Sequence, residues 1–118
     1  KKHLRQRADL LWKRIIQLKA NNCCEICGKT GRINAHHIIS RKSLHFRFDL
    51  RNGIALCPSH HTFSSQSAHL NPIWFCDWLK DNRPDEFNYL QREQNILEPN
   101  FDYESTLKLL WNKFDSMK

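Results

Sequence analysis

Apolar residues recur at helical spacing from the start of the chain. Ala8, Leu11, Trp12, Ile15 and Leu18 line one side of residues 3–20, and lysines and arginines fill much of the other. That pattern predicts a basic amphipathic helix ended by Asn21-Asn22. Residues 23–31, with Gly28 and Gly31, read as a turn-rich knuckle. Residues 32–39 suit a strand, with β-branched Ile33, Ile38 and Ile39. Residues 40–53 read as a long basic loop that contains Leu44, Phe46, Phe48 and Leu50, the two phenylalanines being expected under the loop rather than against bases. Asn52-Gly53 is a turn signal ahead of a short apolar strand, Ile54-Ala55-Leu56. Pro58 suits the first turn of a helix that carries His60 and His61 to about Ser67. Three further helices are expected: from Asn71-Pro72 to about Asp81, from Pro84 with Phe87 and Leu90 on one side, and from Asp102 or Ser105. The last has Leu107, Leu110, Trp111 and Phe114 as its apolar stripe. These three read as core scaffold.

At 118 residues the chain is expected to form one domain: a basic helix over 1–22, a core over 23–69 and a helical part over 70–118. Its apolar content argues against disorder, and no apolar run approaches bilayer length. Charge changes the picture more. Residues 1–51 hold 13 Lys/Arg against 3 Asp/Glu, whereas residues 52–118 hold 6 against 9, so the net +7 is concentrated in the first half. A basic half favours a polyanionic partner, nucleic acid before an anionic membrane. The five cysteines are an odd number, and the first residues, Lys1-Lys2-His3-Leu4-Arg5, hold no apolar signal core. A reduced, cytoplasmic setting with metal-bound thiols therefore fits better than disulfides. Cys23 and Cys76 are left over, Cys76 reading as a small buried hydrophobe.

Cys24-x-x-Cys27 and Cys57-x-x-His60 are two pairs at structural-zinc spacing, separated by enough chain for a hairpin. Three thiolates and an imidazole make a closed tetrahedral set that leaves no position for substrate. Interleaved with them stand His36, His37, Asn52 and His61, which such a knuckle does not need. Neighbours on a helix point about 100° apart, so His60 can face the zinc and His61 the hairpin. His36 and His37 pose a difficulty, since strand alternation sends them to opposite sides. Both can serve one site only if the strand ends or twists there, or if they flank the substrate. His45 and His69 are expected to be surface or capping residues.

The run Ala35-His36-His37-Ile38-Ile39, then Leu50-Arg51-Asn52-Gly53-Ile54-Ala55-Leu56-Cys57, then His60-His61 resembles the HNH endonuclease family, in its zinc-bearing branch. The resemblance covers about residues 24–67. It implies an α+β fold: a ββα-metal HNH motif stapled by the three-Cys, one-His zinc knuckle, with the N-terminal basic helix and C-terminal helices packed around it. It also implies a DNA endonuclease with His37 as general base, His36 and His61 holding one catalytic divalent ion, and Asn52 bracing the loop. Where the family commonly has Asp before the base, this chain has His36. The ion is therefore open among Mg²⁺, Mn²⁺, Ni²⁺, Co²⁺ and Zn²⁺. Arg41, Lys42, Arg47 and Arg51 are the expected phosphate contacts. By analogy the family suggests a bacteriophage protein acting in the bacterial host cytoplasm with other phage DNA-processing proteins, on DNA rather than a membrane or small molecule. Two other readings stay open: a non-catalytic zinc-ribbon nucleic-acid-binding module, and a structure-selective resolvase of branched DNA. Oligomeric state is not legible.

Overall fold

The computed structural model describes residues 2–117, with the side chains described from His3 onward. Helix α1 spans Lys2–Lys19 and buries Ala8, Leu11, Trp12, Ile15 and Ile16. Two asparagines end it. Asn21 and Asn22 sit at φ 55° and 56°, a left-handed conformation that asparagine tolerates better than most residues. Their amides bond back to the carbonyls of Leu18 and Gln17.

Strands β1 (Asn34–His37) and β2 (Gly53–Leu56) form an antiparallel hairpin in which His36 opposes Ile54 and His37 opposes Gly53. The first strand is shorter than the expected 32–39. Beyond His37 the Asn52 carbonyl still accepts from Ile38 N–H, but the Asn52 side chain takes over at Ile39 N–H. The segment 40–53 is less open than a long loop. It contains a short helix α2 (Leu44–Arg47) and a 3-10 turn (Leu50–Asn52) capped by the Asp49 carboxylate, and it buries Phe46 and Phe48.

The helix expected from Pro58 to about Ser67 does not form. One wide π turn, Ser59–Phe63, stands in its place, closed by Ser64 N–H on the Ser59 carbonyl. The carbonyls of His60 and His61, which a continuing α-helix would use internally, instead accept from Ala68 (2.8 Å) and His69 (3.1 Å) as the chain folds back.

Helix α3 (Pro72–Asn82) begins at Asn71, whose side chain accepts from Trp74 N–H; α4 spans Pro84–Glu93 and α5 spans Tyr103–Ser116. Asp102, not Ser105, caps α5, taking the Ser105 amide on its carboxylate. Cys76 is exposed, contrary to the buried role expected for it. Helix α3 buries Phe75 and Leu79, four residues apart, and Cys76 lies at the edge of that face, about 100° round from Phe75 and about 60° from Leu79. One apolar core joins α1, the hairpin, α3 and α5 through Trp12, Ile15, Ile54, Leu56, Leu79 and Leu110. Helix α1 lies directly on β2. A Cβ on Gly53 would overlap Ile16 Cδ1 and stand 2.7 Å from Trp12 Cζ2. Among the described residues no helix is long and apolar enough to cross a membrane.

Candidate functional site

The knuckle and the hairpin bring Cys24, Cys27, Cys57 and His60 together, with every ligand atom within 4.8 Å of the others. Cys27 Sγ and Cys57 Sγ are 3.8 Å apart, and His60 Nδ1 is 3.4 Å from Cys57 Sγ and 3.8 Å from Cys24 Sγ. Two thiolates each about 2.3 Å from one ion at the tetrahedral angle stand about 3.8 Å apart. The donor set and its spacing fit a metal ion without rearrangement. The Cys24-x-x-Cys27 and Cys57-x-x-His60 pairs of the sequence pattern thus converge on one point. Glu25, inside the knuckle, accepts from Ala55 N–H of β2 and tethers the knuckle to the hairpin.

On the other side of the π turn, His36 of β1 meets His61. Their rings stand 5.0 Å apart, and His69 completes a triangle at 5.0 Å from His36 and 4.7 Å from His61. His61 Nε2 and His69 Nε2 are 3.1 Å apart, and one nitrogen from each of the three rings falls within a 4.8 Å sphere of mutual distances. Burial, and then the positive charges that His61, His69 and His37 would carry, hold His36 down to about 3. Burial and His69 lower His61 as well. The shifts favour neutral His36 and His61, the form in which imidazole binds a metal.

His37 faces the opposite side of β1. It stacks on Trp12 of α1 at 3.9 Å with the planes 6° apart, and its Nε2 lies 2.9 Å from the Arg47 carbonyl oxygen. A carbonyl only accepts, so Nε2 carries the proton and Nδ1 of the neutral ring keeps its lone pair. Burial depresses the His37 pKa; the bond to the Arg47 carbonyl is the main effect opposing it, and the weaker charges of Arg47 and Arg41 lower it while that of Asp9 raises it. Alternation does separate the two histidines, as a strand requires. Because β1 ends at His37, both still border one cavity of about 580 Å³, together with Arg41, His61, His69 and Phe75.

Asn52 is fully buried. Its amide donates to the carbonyls of Ile39 (2.9 Å) and Phe46 (3.1 Å), and its oxygen accepts from Ile39 N–H (2.6 Å). It therefore clamps both ends of the 39–46 segment that wraps the cavity.

The four basic residues of 40–53 part company. Arg41 borders the cavity and Lys42 is exposed. Arg47 is bound by two bonds of 2.9 Å to the Asp9 carboxylate of α1, so its guanidinium ties α2 to α1. Arg51 pairs with Asp49 and lies 3.5 Å over the Tyr89 ring, in a separate hollow with His45 and Glu98. Sequence reading missed two residues of the site. Trp12 looked like any core residue of a helix stripe. His69 follows His61 by eight positions, which is not a spacing that regular helix or strand geometry brings together. His45, expected as a surface or capping residue, pairs with Glu98 at 3.0 Å.

Residues 24–65 match the family model of the HNH endonuclease. No curated protein and no solved structure matches the chain. The matched span takes in the cysteine pairs, both strands, Asn52 and the π turn, while α1, His69 and helices α3–α5 lie outside it. With the two-stranded sheet, the metal-type knuckle and this match in agreement, the chain carries an HNH endonuclease domain over residues 24–65.

Proposed function

We propose that this protein is a metal-dependent endonuclease that hydrolyses DNA phosphodiester bonds, with little sequence preference of its own. The HNH domain implies a nucleic-acid substrate and nuclease chemistry in general, and the basic first half favours a polyanion. The observation that carries the reading is the state of His37. Its Nε2 is tied to a backbone carbonyl, its ring is held flat against Trp12, and it borders the same cavity as His36 and His61.

In this reading His37 Nδ1 takes a proton from water as the water oxygen attacks phosphorus. The phosphorus–3′ oxygen bond breaks, and the 3′ oxygen leaves to be protonated from solvent. His36 and His61 hold one divalent ion, which supplies positive charge for the phosphate and the departing oxygen. Arg41, on the cavity wall, positions the phosphate; Lys42 and Arg51 contact the backbone farther along. Asn52 keeps the 39–46 segment in place, and through Phe46 the neighbouring Arg47 carbonyl that orients His37. Cys24, Cys27, Cys57 and His60 hold a structural Zn²⁺, the ion that three thiolates and an imidazole favour.

Supercoiled plasmid incubated with the protein and Mg²⁺, Mn²⁺, Ni²⁺, Co²⁺ or Zn²⁺ tests the proposal. Wild type should nick it. His37→Ala should lose about 10²–10⁴-fold in rate while still binding DNA. Equal nicking by both removes the proposed base, and no nicking with any ion leaves a binding module.

A further inference from the structure

We propose that His69 is the third protein ligand of the catalytic ion, making an all-imidazole site that selects a transition metal over Mg²⁺. This rests on the reading of His36 and His61 as ligands and adds a residue four positions beyond the span that matches the family.

The backbone builds the arrangement. The π turn ends helical pairing after Phe63, and the returning chain lays Ala68 N–H on the His60 carbonyl and His69 N–H on the His61 carbonyl. Buried Ser67 secures the return, its hydroxyl accepting from Leu70 N–H and its carbonyl from Asn71 N–H. Adjacent residues His60 and His61 thus point to different metal groups, and the same pair of carbonyls sets His69 beside His61.

The separation of His61 and His69 fits shared ligation, and His36 lies close enough to join them with a small shift. Imidazole nitrogens each about 2.1 Å from one ion stand about 3.0 Å apart at a right angle and about 3.4 Å apart at the tetrahedral angle. His61 Nε2 and His69 Nε2 are 3.1 Å apart. A single N–H···N bond would account for that pair but not for His36, whose ring stands equally far from both partners and whose ligand nitrogen lies within 4.8 Å of theirs. The three rings border the open cavity, so positions remain for water and substrate oxygens. No carboxylate belongs to the group. Mg²⁺ demands oxygen ligands, whereas Zn²⁺, Ni²⁺ and Co²⁺ accept neutral imidazole, and Mn²⁺ less readily.

Isothermal titration of the zinc-loaded protein with Ni²⁺ reads the site without reference to cleavage. Wild type should bind about one Ni²⁺ per chain beyond the retained zinc, and millimolar Mg²⁺ should not compete. Removing even the hydrogen-bond partner of a metal ligand weakens binding about 10–100-fold, so His69→Ala should lose at least that much. Its zinc content and circular dichroism should be unchanged, because His69 is exposed on a turn. His69→Asp, which offers an oxygen, should recover binding and move the preference toward Mn²⁺ and Mg²⁺. Unchanged Ni²⁺ affinity in His69→Ala, or no second ion in wild type, overturns the proposal. The two readings separate cleanly. Ni²⁺ binding that depends on His69 in a protein that never nicks plasmid keeps the third ligand and removes the nuclease. Nicking that depends on His37, with Ni²⁺ affinity indifferent to His69, does the reverse.

Discussion

His36 and His37 are adjacent, yet one faces two other imidazoles and the other faces an indole and a backbone carbonyl. Under the proposed function that difference gives them different work: a ring among rings can share an ion, and a ring with one nitrogen tied and the other free can take a proton. Only neutral His37 is a base. Its pKa lies below the ordinary 6.5, mainly through burial, so kcat/KM should hold at pH values just below 6.5, where more than half of a free histidine is protonated. It should then fall as pH drops through the lowered value. A pH–rate profile whose acid limb lies at or above the ordinary value would contradict this, and in His37→Ala that limb should vanish. Asn52 makes a second prediction at this scale. Its three side-chain bonds satisfy buried backbone groups of Ile39 and Phe46. Leaving them unpaired in Asn52→Ala should cost at least about 2 kcal/mol of stability in denaturant unfolding. Asn52→Asp should not rescue it, since a carboxylate turns an acceptor toward two carbonyls.

Among the elements, α1 and the hairpin form the critical contact. Gly53 faces His37 across the hairpin and lets Ile16 and Trp12 of α1 lie against the backbone. Gly53→Ala should push α1 away, destabilise the fold by about 1–3 kcal/mol and lower nicking further by loosening the Trp12–His37 stack. Thermal unfolding compared with plasmid nicking at a temperature where the variant is folded separates the two effects. The two metal groups should also differ. Cys24 and Cys57 are buried, whereas the imidazole group opens onto the cavity. A chelator titrated into the protein should therefore abolish nicking first, with circular dichroism unchanged. Unfolding should come only when the ion at the cysteines is removed. That ion contributes roughly 10–16 kcal/mol in small zinc peptides, comparable with the whole stability of a typical domain, about 5–15 kcal/mol.

Across the whole molecule the net charge of +7, gathered in the first half, should make DNA binding fall steeply with salt. Each phosphate contact adds about 0.9 to the slope of log affinity against log salt. Arg41→Ala and Lys42→Ala should each lower the slope by about one such contact. Arg47→Ala should leave the slope nearly unchanged and lower the melting temperature instead, because Asp9 holds its guanidinium. Binding isotherms at several salt concentrations check all three.

Much of the fold was legible because it is local. Helix α1 showed in its apolar stripe, strand β2 in the apolar run Ile54-Ala55-Leu56, and α3 and α4 in their prolines at the first turn. The family match covers the same short-range motifs that the sequence resemblance rested on. The misjudged elements have a common cause. The helix after Pro58 was opened by the chain's own return to the His60 and His61 carbonyls, and Cys76 was exposed by the way α3 lies on its neighbours.

Covalent spacing alone determined that Cys24 with Cys27, and Cys57 with His60, could each offer two ligands to one side of an ion, and that His60 and His61 would diverge, since both follow from the pitch of a few residues. Only the folded chain decided that His69 joins His36 and His61, that Trp12 backs His37, and that Arg47 serves α1 rather than solvent. Those partnerships join positions 8 to 38 residues apart, and the distance between such residues is set by packing and backbone hydrogen bonds, which no local periodicity encodes.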